Sequence, residues 1–383
     1  MQIIEVNDKR TIDEFHQLPF TLYRGDKNWI PQLRMMAEEV FHPKSGDVCR
    51  WLLRDDNGAV IGRVAAFMIP SYVQTFEQPT GGMGFFECID SQDAAFMLFD
   101  TAVQWLKEHG AEAADGPINT GENFFNWGLL TDGFMPQGFG MPYNPPYYQK
   151  FFEDYGFQVY YTQYSYYLDI ADPNLPSTFW KVAERVYKNP SYRFEHFRFA
   201  RMDKYINDFL HIYEQAWGKH ENHKQVDPAE IGAMLKESKL FLEEDFIWFV
   251  YRDDEPVAFL FMTPDLNQLF RHIPSGRLNL WGLLKIMWLK KRKAVTRSRI
   301  IAMGVIPKYQ KNGIESAIFY QLRQVMLKKT WYKEIDLSWV GDFNPKMMAI
   351  VKRAGGWYGN THLTYRYLFD RTKEFKRAAI ITD

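Results

Sequence analysis

The sequence predicts a mixed α/β fold, a mostly antiparallel sheet flanked by helices, built twice along the chain. Three observations predict it. The first is a pair of hairpins: Arg54-Asp55-Asp56 heads one turn, with Asn57-Gly58 behind it, and Arg252-Asp253-Asp254 heads the other, each between apolar runs. The second is a pair of helix starts, Tyr143-Asn144-Pro145 and Phe343-Asn344-Pro345, whose helices stop at Gly156 and Gly355-Gly356. The members of each pair lie about 200 residues apart, which argues for an internal duplication. The third is residues 300–316. They read as an apolar strand containing Gly304, a polar turn after Pro307, and a helix opened by Gly313 with Ala317, Ile318, Leu322, Val325 and Met326 at helical spacing.

In order, the chain starts with a strand, then Pro19 and a loop through Arg24-Gly25-Asp26-Lys27-Asn28-Trp29, which reads as a turn rather than an adhesion signal. The first hairpin spans 51–67, and a further strand is expected over 81–86. Helical periodicity covers 94–108 and ends at Gly110. Residues 113–118 read as a short strand or its exit, and 119–141 as a long loop rich in glycine and aromatic residues. Loops of that length are usually functional when ordered. A helix from Asn144-Pro145-Pro146 to Gly156 and a strand over 159–168 complete the first half. Residues 169–176, rich in Pro, Asp and Asn, make the linker. This divides the chain into domains 1–170 and 177–383. The second half reads as a helix near 179–187, a strand over 194–200, a helix over 203–217 and the hairpin over 248–261.

Composition supports a folded core: 46% of residues are hydrophobic, 17% aromatic and 24% charged. A net charge of −1 gives no field to attract nucleic acid, so no nucleic-acid partner is expected. Two distant cysteines, Cys49 and Cys88, make no disulfide scaffold. The N-terminus has no signal-peptide pattern, and no run is apolar enough to span a bilayer. The expected location is cytoplasmic.

A helix start after a polar turn is an anion site, because its first N–H groups are unpaired and the helix dipole is positive there. An ordinary crossover with a glycine for turn geometry gives the same spacing. The residue types add to this. Val305-x-Pro307-x-Tyr309-Gln310-x-x-Gly313-Ile314 resembles the acyl-CoA segment of the GCN5-related N-acetyltransferase (GNAT) family. Glu315 departs from the family pattern, which has Gly or Ala there, and its charge would repel a pyrophosphate. The order of elements in each half is also that of the GNAT fold. Leu22-Tyr23-Arg24-Gly25-Asp26, Asp115-Gly116-Pro117-Ile118-Asn119, Met141-Pro142-Tyr143-Asn144-Pro145-Pro146-Tyr147-Tyr148 and Pro264-Asp265-Leu266-Asn267 further resemble a bacterial family of double-GNAT, acyltransferase-like proteins.

The resemblance implies tandem GNAT-like domains, with acetyl-CoA or a longer acyl-CoA as cofactor, no metal, and a small-molecule amine as acceptor. Met303, Val305, Gln310, Lys311, Asn312, Gly313, Ile314, Glu315 and Asn344 would border the cofactor. The first half's counterpart turn, residues 86–93, has no glycine and carries acids, so it reads as degenerate. Tyr143, Asn144, Asn126 and Trp127 are candidates for the acceptor pocket. In the family a tyrosine often protonates the leaving thiolate; the corresponding positions here are Val351 and Phe152, which have no proton to give. Tyr309, Asp342 and Tyr365 are the remaining catalytic candidates. The alternative is a catalytically inactive GNAT-fold protein kept for binding a ligand or another protein.

Residues 278–299 run from apolar, Leu280 to Leu289, to basic, Lys290 to Arg299, with no acid. The reading adopted is a helix packed on the core with a solvated basic end; the alternatives are peripheral contact with a membrane or a phosphate-rich partner, and a basic end that meets the coenzyme's phosphates. His220 and His223 have a metal-like spacing but no third ligand, and read as a solvated loop.

Overall fold

The computed structural model describes residues 1–43, 45–69, 77–119, 125–217 and 226–381. The first half comprises β1 Gln2–Glu5, α1 Lys9–Leu22, α2 Arg34–Glu39, β2 Asp47–Arg54, β3 Val60–Met68, β4 Thr80–Cys88, α3 Gln92–Glu108, β5 Ala113–Gly116, β6 Leu129–Asp132, α4 Tyr148–Tyr155 and β7 Gln158–Asp169. The second comprises α5 Ser177–Tyr187, β8 Arg193–His196, α6 Met202–Trp217, α7 Pro228–Glu237, β9 Ile247–Arg252, β10 Glu255–Pro264, α8 Asn267–Phe270, α9 Leu280–Lys291, β11 Arg297–Val305, α10 Ile314–Lys328, β12 Glu334–Gly341, α11 Pro345–Ala354 and β13 Trp357–Leu368.

Local chemistry sets these elements. In the β2–β3 hairpin, Asp55 accepts from the N–H groups of Asn57 and Ala59 at 3.0 and 2.8 Å, and Gly58 takes φ +83°. The β9–β10 turn places Asp253 and Asp254 at positive φ, the backbone a two-residue hairpin needs. Gly156 and Gly355 close α4 and α11 in the left-handed conformation.

The path around Pro19 and the strand expected over 194–200 differ from the sequence reading. Pro19 lies inside α1 instead of in a loop. Asp8 and Thr11 form a capping box that starts the helix. The carbonyl of Phe15, which Pro19 cannot serve, accepts from the Arg63 guanidinium at 2.7 Å. The strand expected over 194–200 stops at His196, and Phe199–Arg201 form a short 3₁₀ turn into α6.

All strands belong to one sheet, ordered β1-β2-β3-β4-β5-β13-β7-β12-β11-β10-β9-β8, with β6 also beside β13. Among the described residues, only β4–β5 and β11–β12 pair in parallel; the others are antiparallel. The order shows an exchange. The last strand of the second half, β13, pairs with β5 of the first, and the last strand of the first half, β7, pairs with β12 of the second. A bidentate Arg366–Asp115 pair, at 2.7 and 2.9 Å, fastens β13 to β5 in the interior. Apolar cores fill the space between sheet and helices, one against α5, α6 and α10, another against α3 and α4, a third beneath α1.

Candidate functional site

Each half contains one place where parallel strands could part. In the second half, β11 and β12 pair at only three positions, the last being Arg299 with Asp336. Beyond it β11 stays with β10, while β12 bulges between Asp336 and Trp339 and follows β7. Ser338 takes φ +67°, and its N–H turns back to Asp336 Oδ1 at 2.8 Å. The strands diverge, leaving Ile301, Ala302, Met303, Ser338 and Trp339 half-buried along a wedge.

The turn lies where β11 ends. Pro307–Tyr309 make a 3₁₀ turn, Lys311 and Gly313 take positive φ, and α10 begins at Ile314. Among the described residues, the N–H groups of Lys311, Asn312 and Gly313 have no hydrogen-bond partner. Lys311 and Asn312 are exposed. Gly313 needs its φ of +78°, and a Cβ there would also stand 3.2 Å from Val186 of α5. Gln310 and Asn312 brace the turn from within, donating to the carbonyls of Val305 and Tyr309 at 3.1 and 3.2 Å. Glu315 is half-buried, with its carboxylate on its own N–H; burial outweighs that bond and raises its pKa. Unpaired N–H groups at the head of a helix are the kind of position at which backbone can hold an anion.

The corresponding wedge in the first half is sealed. After β5 the chain stays against β4: Ile118 N–H donates to Met83 O at 2.8 Å, and Asn119 Oδ1 accepts from Phe85 N–H at 2.7 Å. Gly84 makes that approach possible, since a Cβ there would fall 1.4 Å from Ile118 O. The turn after β4 is filled by protein side chains. Tyr148 accepts from Cys88 N–H at 2.7 Å, Tyr147 donates to Cys88 O at 2.9 Å, and Glu87 is buried among Tyr23, Tyr148 and Arg63. The absence of glycine from 86–93 is thus accompanied by a site already occupied from within.

The other predicted residues are distributed as follows. Met303 lines the open wedge, and Val305 closes its end, buried. Asn344 caps α11 by accepting from Met347 N–H at 3.1 Å. Tyr309 is buried and donates to Glu255 at 2.7 Å. Asp342 binds Thr162 N–H and pairs with Arg377 at 2.6 Å. Tyr365 lies in the first half's core and donates to Glu153 at 3.0 Å. These three catalytic candidates do not converge. Val351 and Phe152 are fully buried.

The acceptor candidates sit on the long loop and just after it, a stretch that braces the two halves. Asn144 bonds both backbone groups of Leu130, at 2.8 and 3.0 Å, and does not cap a helix; α4 starts three residues later than Asn144-Pro145 suggests. Trp127 is buried opposite Ile118, and Asn126 holds the loop at φ +56°. Tyr143, half-buried, donates to Asp26 at 2.8 Å. Farther along, Phe139 N–H donates to Asp265 at 2.9 Å and Asn267 donates to Gly138 O at 3.0 Å.

A buried polar row went unread in the sequence. Arg297 pairs with Asp265 and Arg299 with Asp336 at the vertex of the wedge. The sequence places both arginines in a basic, solvated stretch; they are buried because they lie on a strand, not on a helix face. The alternation Arg297-Ser298-Arg299 was the available signal. On β13 His362 donates to Pro142 O at 3.0 Å, and burial lowers its pKa to about 4. His220 and His223 lie outside the described residues.

No protein-family model matches the chain. Among curated proteins it is 27% identical over 382 residues to a bacterial ceramide synthase of Caulobacter vibrioides, covering 95% of this chain and 97% of that one. It is 25% identical over 358 residues to the protein YghO of Escherichia coli K12, covering 91% and 90%. Among solved structures it superimposes on a GCN5-related glucosamine N-acetyltransferase region of a fungal multi-domain GH3 β-N-acetylglucosaminidase, with TM-score 0.59 and 12% identity, covering 96% of this chain and 38% of that one. A tandem GNAT protein from the clavulanic acid pathway matches with TM-score 0.55 and 10% identity over 96% and 98% of the two chains. The fold is that of the tandem GNAT proteins.

Proposed function

We propose that the chain is an acyl-CoA-dependent N-acyltransferase. Its C-terminal half, 177–383, would hold acetyl-CoA or a longer acyl-CoA, and its N-terminal half, 1–170, would be a counterpart that lost that site. The carrying observation is the asymmetry between the wedges: one is open beside unpaired N–H groups at Lys311–Gly313, and the other is sealed by Ile118, Asn119, Tyr147 and Tyr148. The turn would take the diphosphate and the wedge the chain that carries the acyl group. Binding both reactants side by side would supply most of the acceleration, by orientation. With Val351 in place of a proton donor, the thiolate would leave to water or unaided.

For the acceptor, the likeness to a bacterial ceramide synthase over 95% of the chain favours a lipid-like amine over a small polar one. The test is calorimetry with acetyl-CoA and long-chain acyl-CoAs, followed by detection of amide from long-chain amines. Saturable binding that Gly313→Glu abolishes supports the reading; no heat with any acyl-CoA overturns it. The second reading, a protein that kept the fold to bind a ligand or another protein without turnover, is favoured by Glu315, Val351 and Phe152, and predicts that no amide forms from any acyl-CoA.

A further inference from the structure

Helix α9 is not packed as its composition suggests. Only Ile286 and Leu289 are fully buried. Trp281 is 78% exposed, Leu280 69% and Trp288 56%, with Leu284 and Met287 nearly half exposed. The reading of this stretch as a core-packed helix therefore fails for its longest apolar face. The reason is geometric: the helix is apolar on two sides, and the protein covers one of them. At about 100° per residue the five exposed side chains fall within an arc of roughly 120°, so they form one stripe. Monomeric proteins rarely leave so large an apolar patch to water.

The stripe runs into cations. Lys291 lies within the same arc, Arg292 and Lys293 follow it, and no acid occurs between 278 and 299. The Arg292 guanidinium stands 5.4 Å from the Trp288 ring, and the Lys293 ammonium 4.1 Å from the ring of Trp331. Lys285 and Lys290 are turned aside onto the carbonyls of His272 and Leu240. The surface is apolar at its centre, carries tryptophans and is basic at one end. A bilayer interface with anionic headgroups complements each of these features.

We propose that α9 lies in the surface of an anionic membrane and holds the protein there. No described helix is long and apolar enough to cross a membrane, so the contact is peripheral. The helix ends at Lys291, just before β11 begins at Arg297, whereas the Gly313 turn follows the far end of β11. With β11 between them, helix and turn lie about 30 Å apart along the strand, which leaves the turn in water. This placement does not depend on acyl transfer.

The test is flotation of the full chain with phosphatidylcholine vesicles, with or without about 30% phosphatidylglycerol. At least ~10-fold more protein is expected to float with the anionic vesicles, less so at high salt. Trp281→Glu with Leu284→Glu should reduce flotation at least ~10-fold at unchanged melting temperature, since both sites are exposed. Trp281→Gln serves as a milder second variant with the same expected direction. Gly313→Glu should leave flotation unchanged, which separates this idea from the acyl-CoA reading. Wild type that floats with neither vesicle, or a Trp281→Glu, Leu284→Glu variant that floats as well as wild type, overturns the proposal. So does a dimer in light scattering that the same variant dissociates without flotation, because a second copy then covers the stripe.

Discussion

Replacing Glu315 by Gln should tighten acyl-CoA binding. The residue occupies the first turn of α10, with its carboxylate on its own N–H and its pKa raised by burial. A diphosphate at Lys311–Gly313 would meet that charge directly. Two unit charges 4 Å apart interact by about 1 kcal/mol in water and about 4 kcal/mol at an effective dielectric near 20. Because Lys311 and Asn312 are exposed, the turn lies nearer the aqueous limit. Removing the charge should therefore gain about 1–2 kcal/mol, or roughly 5- to 30-fold in Kd. An acid in a first turn also interacts with the helix dipole, worth about 0.3–1 kcal/mol, so the variant should lose no more than that in stability. Affinity should also depend on pH in a defined sense. A raised pKa means that Glu315 protonates above the ordinary carboxylate range, so wild-type binding should strengthen as pH falls toward that range, and Glu315→Gln should not show the rise. Calorimetry with acetyl-CoA at pH 7.5 and about pH 5.5 measures both. Equal or weaker binding by the variant refutes the placement of a diphosphate in this turn.

Three further outcomes follow from the interior. Asp336→Asn leaves the Arg299 guanidinium buried without its charge partner and should cost about 3–5 kcal/mol in urea unfolding, part of it restored by Arg299→Met in the same chain. His362 has a folded pKa of about 4 against an ordinary 6.5, so the unfolded chain binds more protons between those values. Its contribution is complete above pH 6.5 and falls by about 2 kcal/mol by pH 5, and His362→Gln should flatten that part of the pH–stability curve. Residues 1–170 expressed alone would lack β13 and leave β5 unpaired, and 177–383 alone would lack β7 beside β12; each should aggregate, while co-expression should yield a soluble pair in gel filtration.

The periodic and turn-bounded elements were legible in the sequence because they depend on neighbours in the chain. The hairpins at Asp55–Gly58 and Asp253–Asp254, the glycine stops at Gly156 and Gly355, and the turn at Gly313 all come from local backbone needs. What failed depended on distant partners. Pro19 reads as a breaker until Arg63, from another strand, takes up the Phe15 carbonyl. Asn144 looks like a cap until β6 supplies Leu130 as its partner. Arg297 and Arg299 look like surface cations until Asp265 and Asp336 face them. The acids of residues 86–93 suggested a degenerate turn, but nothing local indicated that Tyr23 and Tyr148 would fill it.

The strand exchange gives a physical reason why a half with a sealed wedge persists. The open wedge has two walls, β11 and β12. β11 is held by β10 from its own half. β12 is parallel to β11 for only three pairs and is otherwise held by β7, which belongs to the first half. The bulge at Asp336–Trp339 that parts β12 from β11 is a break in its register with β7, so the opening is set by a strand the second half does not encode. In return β13 pairs with β5 and is fixed there by Arg366 on Asp115. Under the proposed function the first half holds no acyl-CoA, and on that reading it can drift in its own wedge, around Glu87 and its tyrosines, but not in β5 or β7. Substitutions that fill the first wedge should be tolerated, whereas those that shift β7 should close or splay the second without touching it.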